Sequence, residues 1–175
     1  INYQSPVVIK VGGKEVVAAI GNTKLLLLDP ASGKILLEHP HGGDSAEIVV
    51  PVPVENDRLL LRVGRDKTDL VQIVSAVDKL SVEKVWSEGV FKNSYAIPVY
   101  YNGYLFGYNS RILTCVDASN GQTKWRSRTP DDGWLLVVDG NLVVQTKTGS
   151  VYVGAASPDG WKELSKIDLF KNLSW

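Results

Sequence analysis

An all-β fold, made of four-stranded antiparallel blades following one another along the chain, is predicted by three observations. The 175 residues form a succession of short apolar runs, mostly four to six residues long, separated by Gly, Pro, Asn or Asp. One stretch, Cys115-Val116-Asp117-Ala118-Ser119-Asn120-Gly121-Gln122-Thr123-Lys124-Trp125, reads as a β-hairpin with the frame small-x-Asp-x-x-x-Gly-x-x-x-Trp. The frame recurs. At Ala76, Asp78, Val82 and Trp86 only the Gly is lost; at Leu27, Asp29, Gly33 and Leu37 the Asp and Gly are kept; at Gly154, Ala156, Gly160 and Leu164 a small residue and the Gly remain. Successive copies begin roughly 40 to 50 residues apart, the period of a four-stranded propeller blade. Four blades are therefore expected, at about residues 1–38, 44–88, 92–128 and 133–170, within a single partial β-propeller domain.

In the first blade Ser5-Pro6-Val7-Val8-Ile9 reads as the inner strand, and Gly12-Gly13 turns the chain into Glu15 to Ile20. Lys24 to Leu28 is apolar throughout, as in a strand covered on both faces, and Asp29-Pro30-Ala31-Ser32-Gly33 leads into Lys34 to Glu38. In the second, strands are expected over Ala46 to Val50, Arg58 to Val63, Asp69 to Val74 and Glu83 to Trp86. Pro51 and Pro53, which lack an amide donor, should end the first of these. The third has Tyr95 to Tyr100, an Asn102-Gly103 turn, Tyr104 to Tyr108 and the signature hairpin. The fourth has Trp134 to Val138, Asp139-Gly140, Asn141 to Gln145, Ser150 to Val153 and Leu164 to Leu169, which makes sixteen strands in all. Helical periodicity is absent.

Composition narrows the partners. Nineteen basic residues balance nineteen acidic ones, so no general field favours nucleic acid or an anionic membrane. No apolar run approaches the roughly 20 residues of a membrane-spanning helix. The absence of Met and the start within a strand pattern read as a mature or excised piece. The single cysteine excludes an internal disulfide, and Cys115 at the small position of the frame reads as a packed, inert thiol.

The frame has a structural meaning without any ligand. Asp29 and Asp117 bond local amides, Gly33 and Gly121 supply left-handed backbone, and Trp86 and Trp125 cover seams between blades; Ala76 and Asp78 hold the same places in the second copy. With these residues the frame resembles the repeat of pyrroloquinoline-quinone-like (PQQ-like) β-propellers, a superfamily containing quinone-dependent dehydrogenases and a non-catalytic lipoprotein of the outer-membrane assembly machinery. The resemblance implies seven or eight blades in a closed ring, so that four make half of one. Two copies of this chain, as a homodimer, would close an eight-bladed ring. It also implies a periplasmic or extracellular setting.

No catalytic constellation is recognisable: there is no Gly-x-Ser-x-Gly elbow, no P-loop and no dinucleotide fingerprint. The acidic residues, Asp base and vicinal disulfide of the quinone enzymes find no counterpart, so no cofactor is expected. His39-Pro40-His41, with Asp44 nearby, offers metal-ligand types, but without a third histidine it reads as a loop between blades and no metal is expected. Connections between blades and turns between second and third strands emerge on one side of a blade, which places His39, His41, Arg65, Phe91, Tyr108, Arg111 and Trp134 on one rim. Aromatics and arginines anchor protein interfaces. The expected function is a non-catalytic protein- or peptide-binding scaffold; the alternatives are a fragment of a quinone-dependent dehydrogenase and a small-ligand sensor.

Overall fold

The computed structural model describes residues 5–21, 23–41, 50–64, 66–77 and 79–171. Their regular structure is entirely β: sixteen strands in four antiparallel sheets, each a simple meander of four consecutive strands. The first sheet holds β1 (Val7–Val11), β2 (Lys14–Ile20), β3 (Lys24–Leu28) and β4 (Ile35–Pro40). The second holds β5 (Val52–Val54), β6 (Arg58–Val63), β7 (Lys67–Ala76) and β8 (Lys79–Glu88). The third holds β9 (Val99–Tyr101), β10 (Tyr104–Asn109), β11 (Ile112–Asp117) and β12 (Thr123–Ser127). The fourth holds β13 (Gly133–Val138), β14 (Asn141–Thr146), β15 (Ser150–Ala155) and β16 (Glu163–Asp168). The sheets belong in pairs to two compact units, Ile1–Gly89 and Val90–Trp175.

Local chemistry explains the meanders. Between the first two strands of each sheet the chain turns through left-handed residues: Gly12 and Gly13, Asn56 and Asp57, Asn102 and Gly103, Asp139 and Gly140. These are the residue types that tolerate positive φ, and such turns match the twist of a hairpin. Between the third and fourth strands the frame does what its chemistry implies. Asp29 Oδ1 accepts from the amides of Ala31 (2.9 Å) and Ser32 (2.7 Å), and Gly33 N donates to Asp29 O at 2.9 Å. Asp117 repeats this with Ser119 N at 2.9 Å and Gly121 N at 2.9 Å.

Each unit buries its own core. In the first, Leu25, Leu27, Leu59, Leu61, Val71 and Ile73 come from the inner strands β3, β6 and β7; in the second, Phe106, Leu113, Cys115, Leu142 and Val144 come from β10, β11 and β14. Burying one such Leu or Phe contributes roughly 1.5–3 kcal/mol. Cys115 is fully enclosed, and burial pushes its thiol up to about 12, so it packs as a small apolar side chain.

Three expectations need correction. The first strand of the third sheet, expected over Tyr95 to Tyr100, is confined to Val99–Tyr101, and residues 95–98 lead into it without strand pairing. Residues 46–49 lie outside the described residues, Val50 is not in a strand, and the first strand of the second sheet is β5, which contains Pro53 rather than ending before it. β5 is an edge strand, where a missing amide breaks no ladder. The frame is also not repeated in space at its second copy. A register shift recurs in every sheet, at Leu27/Leu28, Leu70/Val71, Cys115/Val116 and Val153/Gly154. Leu37 lies opposite Leu27 and Trp125 opposite Cys115, but Trp86 lies opposite Leu70, not Ala76. β7 and β8 run on beyond that point, so Ala76 pairs with Lys79 at the far tip; Asp78 lies outside the described residues.

Candidate functional site

Within each unit the turns between second and third strands and the connections leading into a sheet do meet at the same strand ends. In the first unit His41 N donates to Thr23 O at 2.7 Å; in the second, Ser110 N donates to Lys92 O at 2.7 Å and Lys147 N to Asp132 O at 3.0 Å. These bonds tie connection to turn and give each unit an ordered rim.

The rim of the second unit lies wholly within the described residues. Tyr108 and Phe91, expected as surface anchors, are enclosed. The Tyr108 hydroxyl donates to Asp131 O at 2.8 Å and is shared with Pro130 O at 3.1 Å, and burial raises the phenol far above its usual range, helped by Asp132 and Asp131. Phe91, in left-handed backbone at φ 54°, lays its ring on Gly107, where a Cβ would come within 2.7 Å of Cδ1. Both side chains therefore brace the rim from beneath. Above them Arg111 pairs with Asp131, its Nε donating to Oδ1 at 3.0 Å, and this bond holds the Asp131 carboxyl below its usual range and raises the guanidinium. Lys147 Nζ donates to Asp132 Oδ2 at 2.6 Å. The same ammonium stands 5.9 Å from the ring centroids of both Tyr95 and Trp134.

The arrangement displays aromatic faces and a free guanidinium edge around a fixed cation. Tyr95 is 58% exposed, Ile97 41%, and the Arg111 side chain 74%, while Trp134 is half-buried. Tyr95, Ile97 and Lys147 were not among the residues expected here. Burial alternates from Asn93 to Pro98 with Ser94, Ala96 and Pro98 inward, which the sequence does not signal because the larger apolar residues, Tyr95 and Ile97, face out; for Lys147 the signal is its place after β14, in a turn between second and third strands.

In the first unit His41 is buried and His39 half-buried, both close enough to Asp69 to feel its charge. Asp69 is itself enclosed, accepting from Ser87 Oγ at 2.6 Å and pairing with Lys84 at 2.8 Å. Arg65 and Asp44 lie outside the described residues. Desolvation lowers both histidine pKa values against the opposing pull of Asp69, with Lys84 adding to the effect at His39. Folding therefore releases their protons. Stability is fully present above the unfolded value of 6.5 and falls as the pH drops through it towards the folded values. The urea midpoint is expected to fall between about pH 7.5 and about pH 5.5, and a His39→Gln/His41→Gln variant to flatten that dependence.

Among the described residues no group of three or more His, Cys, Asp or Glu is placed to hold a metal ion. Among the described residues the lone cysteine is enclosed in the core and no cluster of three or more acidic groups converges. No helix among the described residues is long and apolar enough to cross a membrane.

The sequence matches the PQQ_2 family, described as outer membrane protein assembly factor BamB, over residues 70–161, more than half of the chain. The chain belongs to the PQQ_2 family. Solved structures agree on the fold. The crystal structure of the computationally designed Ika8 protein superposes with a TM-score of 0.68 at 15% identity, covering 95% of this chain and 49% of that one. BamB from Moraxella catarrhalis superposes with a TM-score of 0.59 at 16% identity, covering 93% of this chain and 48% of that one. No curated protein matches in sequence. The PQQ_2 chain is thus a β-propeller chain of four four-stranded sheets, and it spans about half the length of these structures.

Proposed function

We propose that the chain is a non-catalytic propeller module that binds a protein or peptide partner through the rim of its second unit, and that further blades, from a second copy or from a longer chain, complete its ring. The carrying observation is the rim itself: Tyr95, Ile97, Trp134 and Arg111 are exposed or half-buried side chains of interface-forming type, held in place by buried Tyr108 and Phe91 and by two ion pairs. A Tyr95→Ala/Arg111→Ala variant removes two exposed contacts. It is expected to melt within a few degrees of the parent and to lose the partner that co-purifies from the native cells; retention of that partner by the folded variant would count against the rim. Kinship with BamB, named as an assembly factor, supports a scaffold role and a periplasmic or extracellular setting. Quinone with calcium is expected to leave the melting temperature unchanged, and a saturable rise would favour the dehydrogenase-fragment reading.

Ring completion rests on a difference between two outer strands. Side chains of β12 alternate between half-buried and exposed, whereas β16 is exposed along its length and shows Leu164 (63%) and Ile167 (55%) to solvent. Leu136 and Val138 on β13 are exposed as well. Such apolar surface is unfavourable unless another blade covers it. Closure by a second copy gives an eight-bladed homodimer. Light scattering of this chain is then expected to give twice its mass of 19.1 kDa, dissociating on dilution; a monodisperse single-chain mass would leave completion to blades in a longer chain.

A further inference from the structure

The last strand of a sheet carries a free row of backbone donors and acceptors, and proteins commonly blunt such an edge with Lys or Arg. β12, the last strand of the third sheet, is blunted in this way: its exposed residues Lys124 and Arg126, with Arg128 just beyond, are all basic. β16, the last strand of the fourth sheet, is not. No described strand lies beyond it, it contains no Pro, and every residue from Lys162 to Lys171 is exposed, Leu164, Ile167, Leu169 and Phe170 by more than half.

The charges along this edge are ordered so that the strand complements itself. When two copies of one strand pair antiparallel about a two-fold axis, the axis passes between the two copies of one residue, and residues equally far from it lie opposite each other on the same face. With Ile167 at the axis, Lys166 meets Asp168 of the second copy and Asp168 meets Lys166. Further out, Leu164 meets Phe170 and Glu163 meets Lys171, so every charge from residue 163 to residue 171 faces an opposite one. Moving the axis by one residue destroys the match: at Lys166 it sets two ammonium groups together, at Asp168 two carboxylates. In the single chain Lys166 and Asp168 already share a face, 3.2 Å apart, with the ammonium 5.4 Å from the ring centroid of Tyr152 on the neighbouring strand. A second copy extends that pair into a ring of four alternating charges.

We infer that β16 pairs edge to edge with β16 of a second copy of this chain, antiparallel and centred on Ile167. The contact uses a strand edge, whereas ring completion covers sheet faces, so it goes beyond that proposal and does not depend on which molecule completes the ring. A contact over residues 163–171 buries well under the roughly 1,200 Å² of a standard interface, so it is a weak association of two chains, populated at high local concentration.

Cys115 is enclosed, so a cysteine introduced at this edge is the one reactive thiol of the chain. The intact chain carrying Ile167→Cys is oxidised with copper–phenanthroline at high protein concentration, and disulfide-linked dimer is followed on non-reducing gels. Opposite residues of an antiparallel pair lie about 4.5–5.5 Å apart at Cα, within disulfide reach. Leu164→Cys is the control: it is the more exposed position, but in this register its two copies stand roughly 20 Å apart along the strands. Cross-linking from position 167 is expected to be on the order of tenfold faster. In the Ile167→Cys chain, Lys166→Asp alone or Asp168→Lys alone sets like charges opposite each other and is expected to slow the reaction severalfold. An equimolar mixture of these two variants is expected to restore it, because Asp then faces Lys at both places. Mass is not the readout, since ring closure by a second copy also doubles it, and the comparison of positions 167 and 164 stands even where a charge variant fails to fold. Equal rates from the two positions, folded single charge variants as fast as their parent, or a mixture no faster than its components would overturn the inference.

Discussion

Trp125→Ala is expected to lower the unfolding free energy by about 3 kcal/mol, at the low end of the range for Trp truncation because the ring is only half-buried. Three contacts are lost together: the packing on Cys115 across the strand pair, the tilted ring contact with Phe106, and the bond to Ser157 O. Trp125→Phe separates them. It keeps most of the apolar area and loses the bond, for an expected cost of about 1 kcal/mol. Urea melts followed by circular dichroism measure both, and partner binding at the rim by the folded variants should be unchanged, since this ring lies at the opposite strand ends. An Ala variant as stable as the parent would remove Trp125 from the scaffold.

Gly133→Ala is the other large expected effect, and it acts at the rim. A Cβ on Gly133 would lie 2.1 Å from Gln145 O and 2.8 Å from both Gln145 C and Thr146 Cα. All three are backbone atoms of the paired strand β14, so no side chain can swing aside. The start of β13 must move, at about 3 kcal/mol, and with it Trp134 and the Asp131–Asp132 segment that pairs with Arg111 and Lys147. Stability and partner binding are expected to fall together. Gly13 is the useful contrast: its φ is +79° but nothing lies within 4 Å of a Cβ there, so Gly13→Ala meets conformational strain alone and costs about 1 kcal/mol.

The fold was legible because each of its devices is local. Runs of four to six apolar residues define the strands, Asn102-Gly103 and Asp139-Gly140 can hardly be anything but hairpin turns, and Asp117 and Gly121 are bonded as their spacing implies. What was not legible depends on register. Trp86 falls ten residues after Ala76 just as Trp125 follows Cys115, yet the longer hairpin of β7 and β8 sets Trp86 opposite Leu70. The rim was legible as a set of connections but not as a surface. Tyr108, Phe91 and His41 look like anchors in sequence and are buried: Tyr108 lies under the connection it bonds at Pro130 and Asp131, and Phe91 turns its ring onto Gly107. Tyr95 looked like a strand residue and is exposed.

The central claim, that the rim of the second unit is where a partner docks, is tested most directly by site-specific photo-cross-linking in the native cells. A photoreactive phenylalanine analogue is placed at Tyr95 or Ile97 on the rim, or at Asp159 in the exposed connection at the opposite ends of the strands. The account predicts one discrete cross-linked protein from both rim positions, none from Asp159, and loss of the rim product on Arg111→Ala. Cross-linking that is equal from all three positions, or that occurs only from Asp159, would contradict it.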